Sequence, residues 1–325
     1  MASLRAPEVL AAEAGRGAAP GAVLGLDIGG TKIAAGVVAE DGGVHGFVVA
    51  PTEVERGAED GSRRLLELGR RAVEESGIAW PAVLGIGIGC GGPLDSANGI
   101  LIAPLHLPGW EDLPIVDLAT AAFDRPAVLD NDATACAAGE HRYGAGRGAQ
   151  NMVYLTVSTG VGGGVVIDGR LHRGQSGNGG ELGHVTVDWH GRECRGCGRR
   201  GCLEAYASGT SIAERAHEAG LEDATAAGVA AGARAGDPVA TRVWDETCEA
   251  LAAGITSIAN LFEPEVVVLG GGVVRTGEQL LAPVRALVDE QVCGPRPKIV
   301  RTPLGDAVGV VGAATVAYER LVVPL

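Results

Sequence analysis

The sequence predicts an α/β protein made of two similar halves around a shared cleft. Three observations carry that expectation. Leu26-Asp27-Ile28-Gly29-Gly30-Thr31-Lys32 lies between two apolar runs, Val23 to Leu26 and Ile33 to Val38, and reads as strand, glycine turn, strand. Tyr154 to Val166 repeats the pattern, with Thr156, Ser158 and Thr159 ahead of Gly160, Gly162, Gly163 and Gly164. Val83 to Gly89 is a continuous apolar run broken by glycines, as in a parallel strand buried on both faces. A repeated strand–glycine–strand unit implies a duplicated half, each copy lending one turn to the cleft.

The totals bound the class. A chain of 325 residues is long enough for two packed domains. A hydrophobic share of 46% without a long uncharged apolar stretch fits a soluble globular protein. Residues 1–21 lack the basic start and apolar core of a signal peptide and are expected to be a disordered tail. A net charge of −14 without a basic run argues against nucleic acid or an anionic membrane as partner. Seven cysteines, three of them clustered, fit a metal site in a reducing cytoplasm better than a disulfide framework.

In chain order, the first turn supplies backbone N–H groups that converge on one spot, which suits a phosphate. Gly29 and Gly30 permit positive φ there, Thr31 adds a hydroxyl, and Asp27 offers a carboxylate able to hold a metal through water. The same letters also fit an ordinary β-turn. Lys32 and Lys298 are the only lysines, so Lys32 is either a phosphate contact or a solvated side chain. Val44 to Ala50 reads as a strand, and Ser62 to Ser76 as a helix started by Ser62 and stopped by Gly77. The strand Val83 to Gly89 delivers Cys90-Gly91-Gly92-Pro93-Leu94-Asp95 at its C-terminal end, where open α/β sheets bind ligands. Pro104 to Trp110 is a loop by its prolines. A strand from Ala127 to Leu129 then ends in Asp130-Asn131-Asp132 before a helix from Ala133 to Tyr143. Asp132 at that junction fits a helix N-cap, and it equally fits a general base kept ionised by the helix dipole.

The densest chemistry follows. Cys194-x2-Cys197, then Cys202, with His184 upstream, supplies one nitrogen and three sulfurs. Zinc takes that set tetrahedrally and keeps no open position, so the metal is expected to be structural. A zinc ribbon that binds nucleic acid is the competing reading, opposed by the acidic chain. Glu181 and Glu204 flank the ligands and can accept hydrogens from an uncharged polyol, while the free imidazole nitrogen of His184 can donate one. Asp237-Pro238 opens a long helix whose apolar face holds Cys248. Glu265 to Leu269 is a strand running into Gly270-Gly271-Gly272, a turn on which a flat ring can lie. Asp306 to Arg320 reads as a final amphipathic helix. The expected division is 22–133, with 306–325 packing back on it, and a larger domain 134–305 that includes the zinc motif 184–202.

The paired glycine turns follow the logic of actin-like ATPases, a ribonuclease H-like architecture. Together with Gly92-Pro93-Leu94-Asp95, Pro104 to Trp110, Asn131-Asp132 and Cys197 to Glu204, they make the chain resemble the ROK family of sugar kinases from about Val23 onward. The resemblance implies an ATP-dependent kinase acting on the 6-hydroxyl of a hexose, glucose first, with fructose, mannose, allose or an N-acetylhexosamine as alternatives. It makes Asp132 the base and assigns the sugar to Gly92, Asn131, Glu181, His184 and Glu204. Phosphates fall to Gly29, Gly30, Thr31, Lys32, Thr159 and Gly160, Mg²⁺ to Asp27 through water, and adenosine to the region of Gly271 and Gly272. His184, Cys194, Cys197 and Cys202 hold a structural Zn²⁺. A cytoplasmic dimer or tetramer is implied as well. Two departures bear on the sugar, Gly91 where proline is commoner and His106 in place of an asparagine after one extra residue; a third, the two-residue gap between Cys194 and Cys197, is a common zinc spacing and is expected to leave metal binding intact. A non-catalytic sugar sensor is the rival, opposed by the intact Asn131-Asp132 and by too little chain before Val23 for a helix-turn-helix.

Overall fold

The computed structural model describes residues 21–322 apart from 176, 178 and 223, so most of the expected N-terminal tail lies outside the described residues. Strand β1 (Ala22–Ile28) turns into β2 (Lys32–Val38) and then β3 (Val44–Pro51). Helix α1 (Gly57–Ser76) follows and ends on Gly77 at φ +71°, the left-handed stop that glycine supplies. It begins five positions before the expected Ser62. That serine is buried within the helix and donates its hydroxyl back to Glu59 O, the local bond by which an interior serine satisfies itself, instead of accepting a backbone N–H as a cap would. Next come β4 (Val83–Cys90), the short β5 (Leu94–Asp95) and β6 (Ile100–Leu101), α2 (Ile115–Phe123), β7 (Ala127–Asn131) and α3 (Asp132–Tyr143).

The second half restarts with β8 (Met152–Val157), β9 (Val161–Ile167) and β10 (Arg170–His172). After the metal-ligand segment run α4 (Glu204–Ala207), α5 (Gly209–Glu218), α6 (Ala226–Arg234) and α7 (Pro238–Phe262), then β11 (Val266–Gly270), α8 (Glu278–Gln291), β12 (Lys298–Arg301) and α9 (Val308–Ala317). As the sequence leads one to expect, Asp237 caps α7, accepting from Ala240 N, and Cys248 is core.

The sheets bear out the duplication. One has the order β3-β2-β1-β4-β7 and the other β10-β9-β8-β11-β12. In both, the first strand is antiparallel to the second and parallel to the fourth in spatial order. The two glycine turns occupy equivalent places in the two sheets, and both line one cleft.

Each half has its own apolar core. Leu24, Leu26, Ile86, Ile88 and Leu129 pack with α1 in the first, and Leu155, Leu251, Ile255 and Leu269 pack between sheet and helices in the second. Helix α9 differs from expectation. It is buried along its whole length from Gly309 to Ala317 rather than amphipathic, because it is wedged between the first sheet and α3. The wedge requires glycine. A Cβ on Gly87 would lie 1.8 Å from Ala313 O, and one on Gly25 would lie 2.2 Å from Val310 O. Helices α3 and α9 cross at Gly139 and Gly312, so the helix that starts with Asp132 is fixed on a backbone-to-backbone contact.

Candidate active site

A cleft of about 1110 Å³ opens between the two sheets. Its first wall carries Asp27 to Lys32, Gly91, Gly92, His106, Asn131 and Asp132, and its second carries Ser158 to Gly160, Glu181, His184, Glu204, Gly271 and Gly272. Every residue singled out from sequence for sugar, phosphate, adenosine or base thus borders one space.

The first turn closes through Gly29 N–H to Lys32 O at 2.9 Å and is braced by Thr52, whose hydroxyl donates to Gly29 O. Neither glycine adopts the expected positive φ. They are needed for close approach instead, since a Cβ on Gly30 would lie 2.8 Å from the Cβ of His106. The second turn follows the same rule: a Cβ on Gly160 would fall 2.7 Å from Glu204 Oε2. Gly162 to Gly164 are not turn residues at all. They lie inside β9, where side chains would strike Ala133, Leu182 and Ala137. Gly271 alone of the adenosine pair has a left-handed backbone, φ +93°.

The N-cap role that position offered to Asp132 falls to its neighbour. Asn131 is the N-cap of α3, its Oδ1 accepting from Thr134 N at 3.0 Å. With that oxygen engaged, its amide N–H groups are left for a ligand. Asp132 is the first helical residue, and its Oδ1 accepts the Ala133 amide at 2.7 Å. Burial raises the Asp132 pKa above its ordinary value, with the Ala133 amide and His106 pulling the other way. Asp27 is raised to about 7, first by burial and then by the nearby Asp132 carboxylate, against the pull of Lys32. Two carboxylates are therefore held near each other at the cleft floor, an arrangement that costs stability and suits a cation or a transferable proton. The N-terminus of α9 closes this floor, because Gly309 abuts Asp27 so tightly that a Cβ would sit 2.3 Å from its Oδ2.

On the opposite wall Glu204 opens α4 and accepts the Val161 amide at 2.9 Å through Oε2. Glu181 stands at the cleft mouth, its side chain 57% exposed, with Oε2 4.0 Å from His184 Nε2. The other nitrogen of His184 turns away from the cleft to within 3.7 Å of Cys194 Sγ. Cys197 Sγ and Cys202 Sγ are 3.6 Å apart, and all four donor atoms lie within 4.8 Å of one another. A tetrahedral zinc with Zn–S near ~2.3 Å sets its ligand atoms about 3.8 Å apart, so the cluster can hold that ion. Bridges Thr186–Cys202 and Glu193–Arg200, with left-handed Gly198 and Gly201, shape the surrounding loop.

Some cleft residues escape sequence reasoning. Arg275, Arg301 and Thr302 line the second half, the latter two at the C-terminal end of β12. The rule that ligands gather at strand C-termini was the signal available for them. His106, seen in sequence only as a departure, reaches the centre of the cleft between the two turns: its Nε2 lies 3.5 Å from where a Gly160 Cβ would be.

Duplicated sheets of this order, meeting at glycine turns over a nucleotide-sized cleft, define the actin-like ATPase class. Within that class the chain belongs to the ROK family, whose profile matches residues 23–320. It is 37% identical to a glucokinase of Thermotoga maritima over 92% of this chain and 98% of that protein. Among solved structures, a ROK hexokinase of Thermus thermophilus is 41% identical with a TM-score of 0.78, covering 91% of this chain and 98% of the other. A ROK family glucokinase of Streptomyces griseus, solved with glucose and AMPPNP, is 34% identical, also with a TM-score of 0.78, over 91% and 99%.

Proposed function

We propose that the protein is an ATP-dependent hexose 6-kinase with glucose as its first substrate. The observation that carries this is convergence: Asn131 and Asp132, the two glycine turns, and Glu181, His184 and Glu204 all face one cleft. The glucokinase relatives support the choice of sugar. The hexose lies between the Asn131 amide and the acceptors Glu181 and Glu204, with His184 Nε2 donating from beside them. Because His184 and Glu204 flank the cysteine ligands, a structural Zn²⁺ held by His184, Cys194, Cys197 and Cys202 would fix both.

Asp132 accepts the proton of the 6-hydroxyl as that oxygen attacks the γ-phosphoryl group of ATP, and its raised pKa is on the right side for a base. Backbone amides of Gly29 to Thr31 and of Thr159 and Gly160 receive the phosphate oxygens, with Lys32 beside them. Asp27 would hold Mg²⁺ through water, and that ion supplies neutralisation of charge on the transferred group. The two halves, 22–133 with 306–325 and 134–305, close to exclude water so that hydrolysis does not compete. The seven unpaired cysteines suit a reducing cytoplasm, and no helix among the described residues is long and apolar enough to cross a membrane. A dimer or tetramer completes the proposal.

His106 in the cleft centre favours one variation, the same transfer to a different hexose. The test is ADP release from Mg-ATP with a panel of hexoses, run beside Asp132→Asn. Turnover with glucose that the variant loses is the expected result. Another preferred sugar would keep the mechanism and make His106 the selector. Sugar binding without turnover on any hexose would overturn the kinase reading in favour of a sensor.

A further inference from the structure

Directly before the base pair of residues, Asp130 is 2% exposed and does not border the cleft. Three segments meet on its carboxylate. Oδ2 accepts from Arg173 Nε at 3.2 Å and Nη2 at 2.8 Å, and from Arg320 Nη2 at 2.8 Å. Oδ1 accepts the Asn131 amide at 2.9 Å. Arg320 also donates to Leu129 O, which ties the C-terminal turn to the same strand end. Arg173 belongs to the other half, immediately after β10. Its carbonyl accepts Gly179 N at 2.9 Å, and a Cβ on Gly179 would collide with the Arg173 backbone. Arg173 is therefore the root of the segment that leads to Glu181 and His184.

We propose that Asp130 is a positioning residue that locks the sugar-binding segment of the second half onto the strand end that carries Asn131 and Asp132 in the first. This rests on the hexose-kinase reading of the same cleft. A buried carboxylate shared by two guanidiniums gains little stability over apolar packing of equal volume, so its value lies in fixing geometry. The geometry fixed is the spacing between Glu181 and His184 on one wall and the base on the other. Fork-shaped donation through two nitrogens makes Arg173 more than a charge, and lysine cannot reproduce it.

The test compares Arg173→Gln, Arg173→Lys and Arg320→Gln with the unaltered protein. Arg173 side chain is 31% exposed, so its replacement is compatible with folding, whereas Asp130→Asn would strand two arginines. Arg173→Gln should raise the KM for hexose about tenfold and leave the KM for ATP within about twofold, with Arg173→Lys between it and the unaltered enzyme. Arg320→Gln should lower the melting temperature without that split. Equal changes in both KM values, or none, would overturn the proposal. Amide hydrogen exchange at Gly179 to His184 decides the matter independently of activity. Faster exchange there in Arg173→Gln supports the lock even if no hexose is a substrate, and unchanged exchange refutes it even if glucose is turned over.

Discussion

Replacing Asp27 by asparagine should make the protein more stable and less active at once. Asp27 has a folded-state pKa of about 7 against an ordinary 3.8, with burial and the Asp132 carboxylate as the raising causes. A carboxyl whose pKa is raised on folding binds its proton more tightly in the folded state. Its charge is therefore harmless below about pH 4 and increasingly destabilising as pH rises, until the folded carboxyl itself ionises near pH 7. At ~1.36 kcal/mol per pH unit, the gap comes to roughly 4 kcal/mol above that point. The cleft admits water, so about 4 kcal/mol is a ceiling, and 1–3 kcal/mol is the range expected of a measured difference. The assay is urea unfolding of the Mg²⁺-free protein and of Asp27→Asn between pH 4 and 9. The curves should coincide at pH 4 and diverge as pH rises, with the variant the more stable, while its turnover with Mg-ATP falls. Parallel curves, or an unaltered protein that is the more stable at pH 8, would refute the claim that these carboxylates are held together at a cost for the sake of function.

Three further outcomes are expected. Asp132→Asn should fold and bind hexose yet lose ~10²–10⁴ in turnover, read by coupled ADP release, and near-normal activity would place the base elsewhere. Elemental analysis of protein prepared without chelator should find about one zinc per chain, and Cys202→Ser should lose the metal together with hexose affinity, because His184 shares both duties. A metal-free preparation with full hexose affinity would separate the two. Gly87→Ala should cost about 1–3 kcal/mol or more, since its Cβ would fall 1.8 Å from a backbone oxygen of α9, and an unchanged denaturation midpoint would mean that α9 is not seated on β4.

Local signals made much of this legible. The strand–glycine–strand units, the Asn131-Asp132 junction and the cysteine spacing are short-range patterns whose chemistry depends on residue type and separation. They led to the α/β class and the duplication, and together they carried the family resemblance from which the sugar and adenosine residues were assigned. Boundaries were less legible: Ser62 has the letters of a cap, but tertiary packing of α1 on the first sheet carried the helix back to Gly57. For α9, the polar ends Asp306, Glu319 and Arg320 gave the longer stretch an amphipathic look, whereas the helix itself, Val308–Ala317, is almost wholly Val, Ala and Gly, a composition that signals burial on every side.

By itself, then, the sequence determined which residues could do chemistry and that two alike units would present them, because periodicity and side-chain type are local properties. Tertiary structure alone decided that Gly29 and Gly30 serve close approach to His106 rather than positive φ, and that Asn131 rather than Asp132 caps α3. It also brought Asp27 against Asp132, and Asp130 between Arg173 and Arg320. Asp27 and Asp132 lie about a hundred residues apart within the first half, and Asp130 meets one arginine from the second half and one from the far end of the chain. A carboxylate's pKa or a guanidinium's partner is set by what surrounds it in space, and that environment exists only once the two sheets have packed around the cleft.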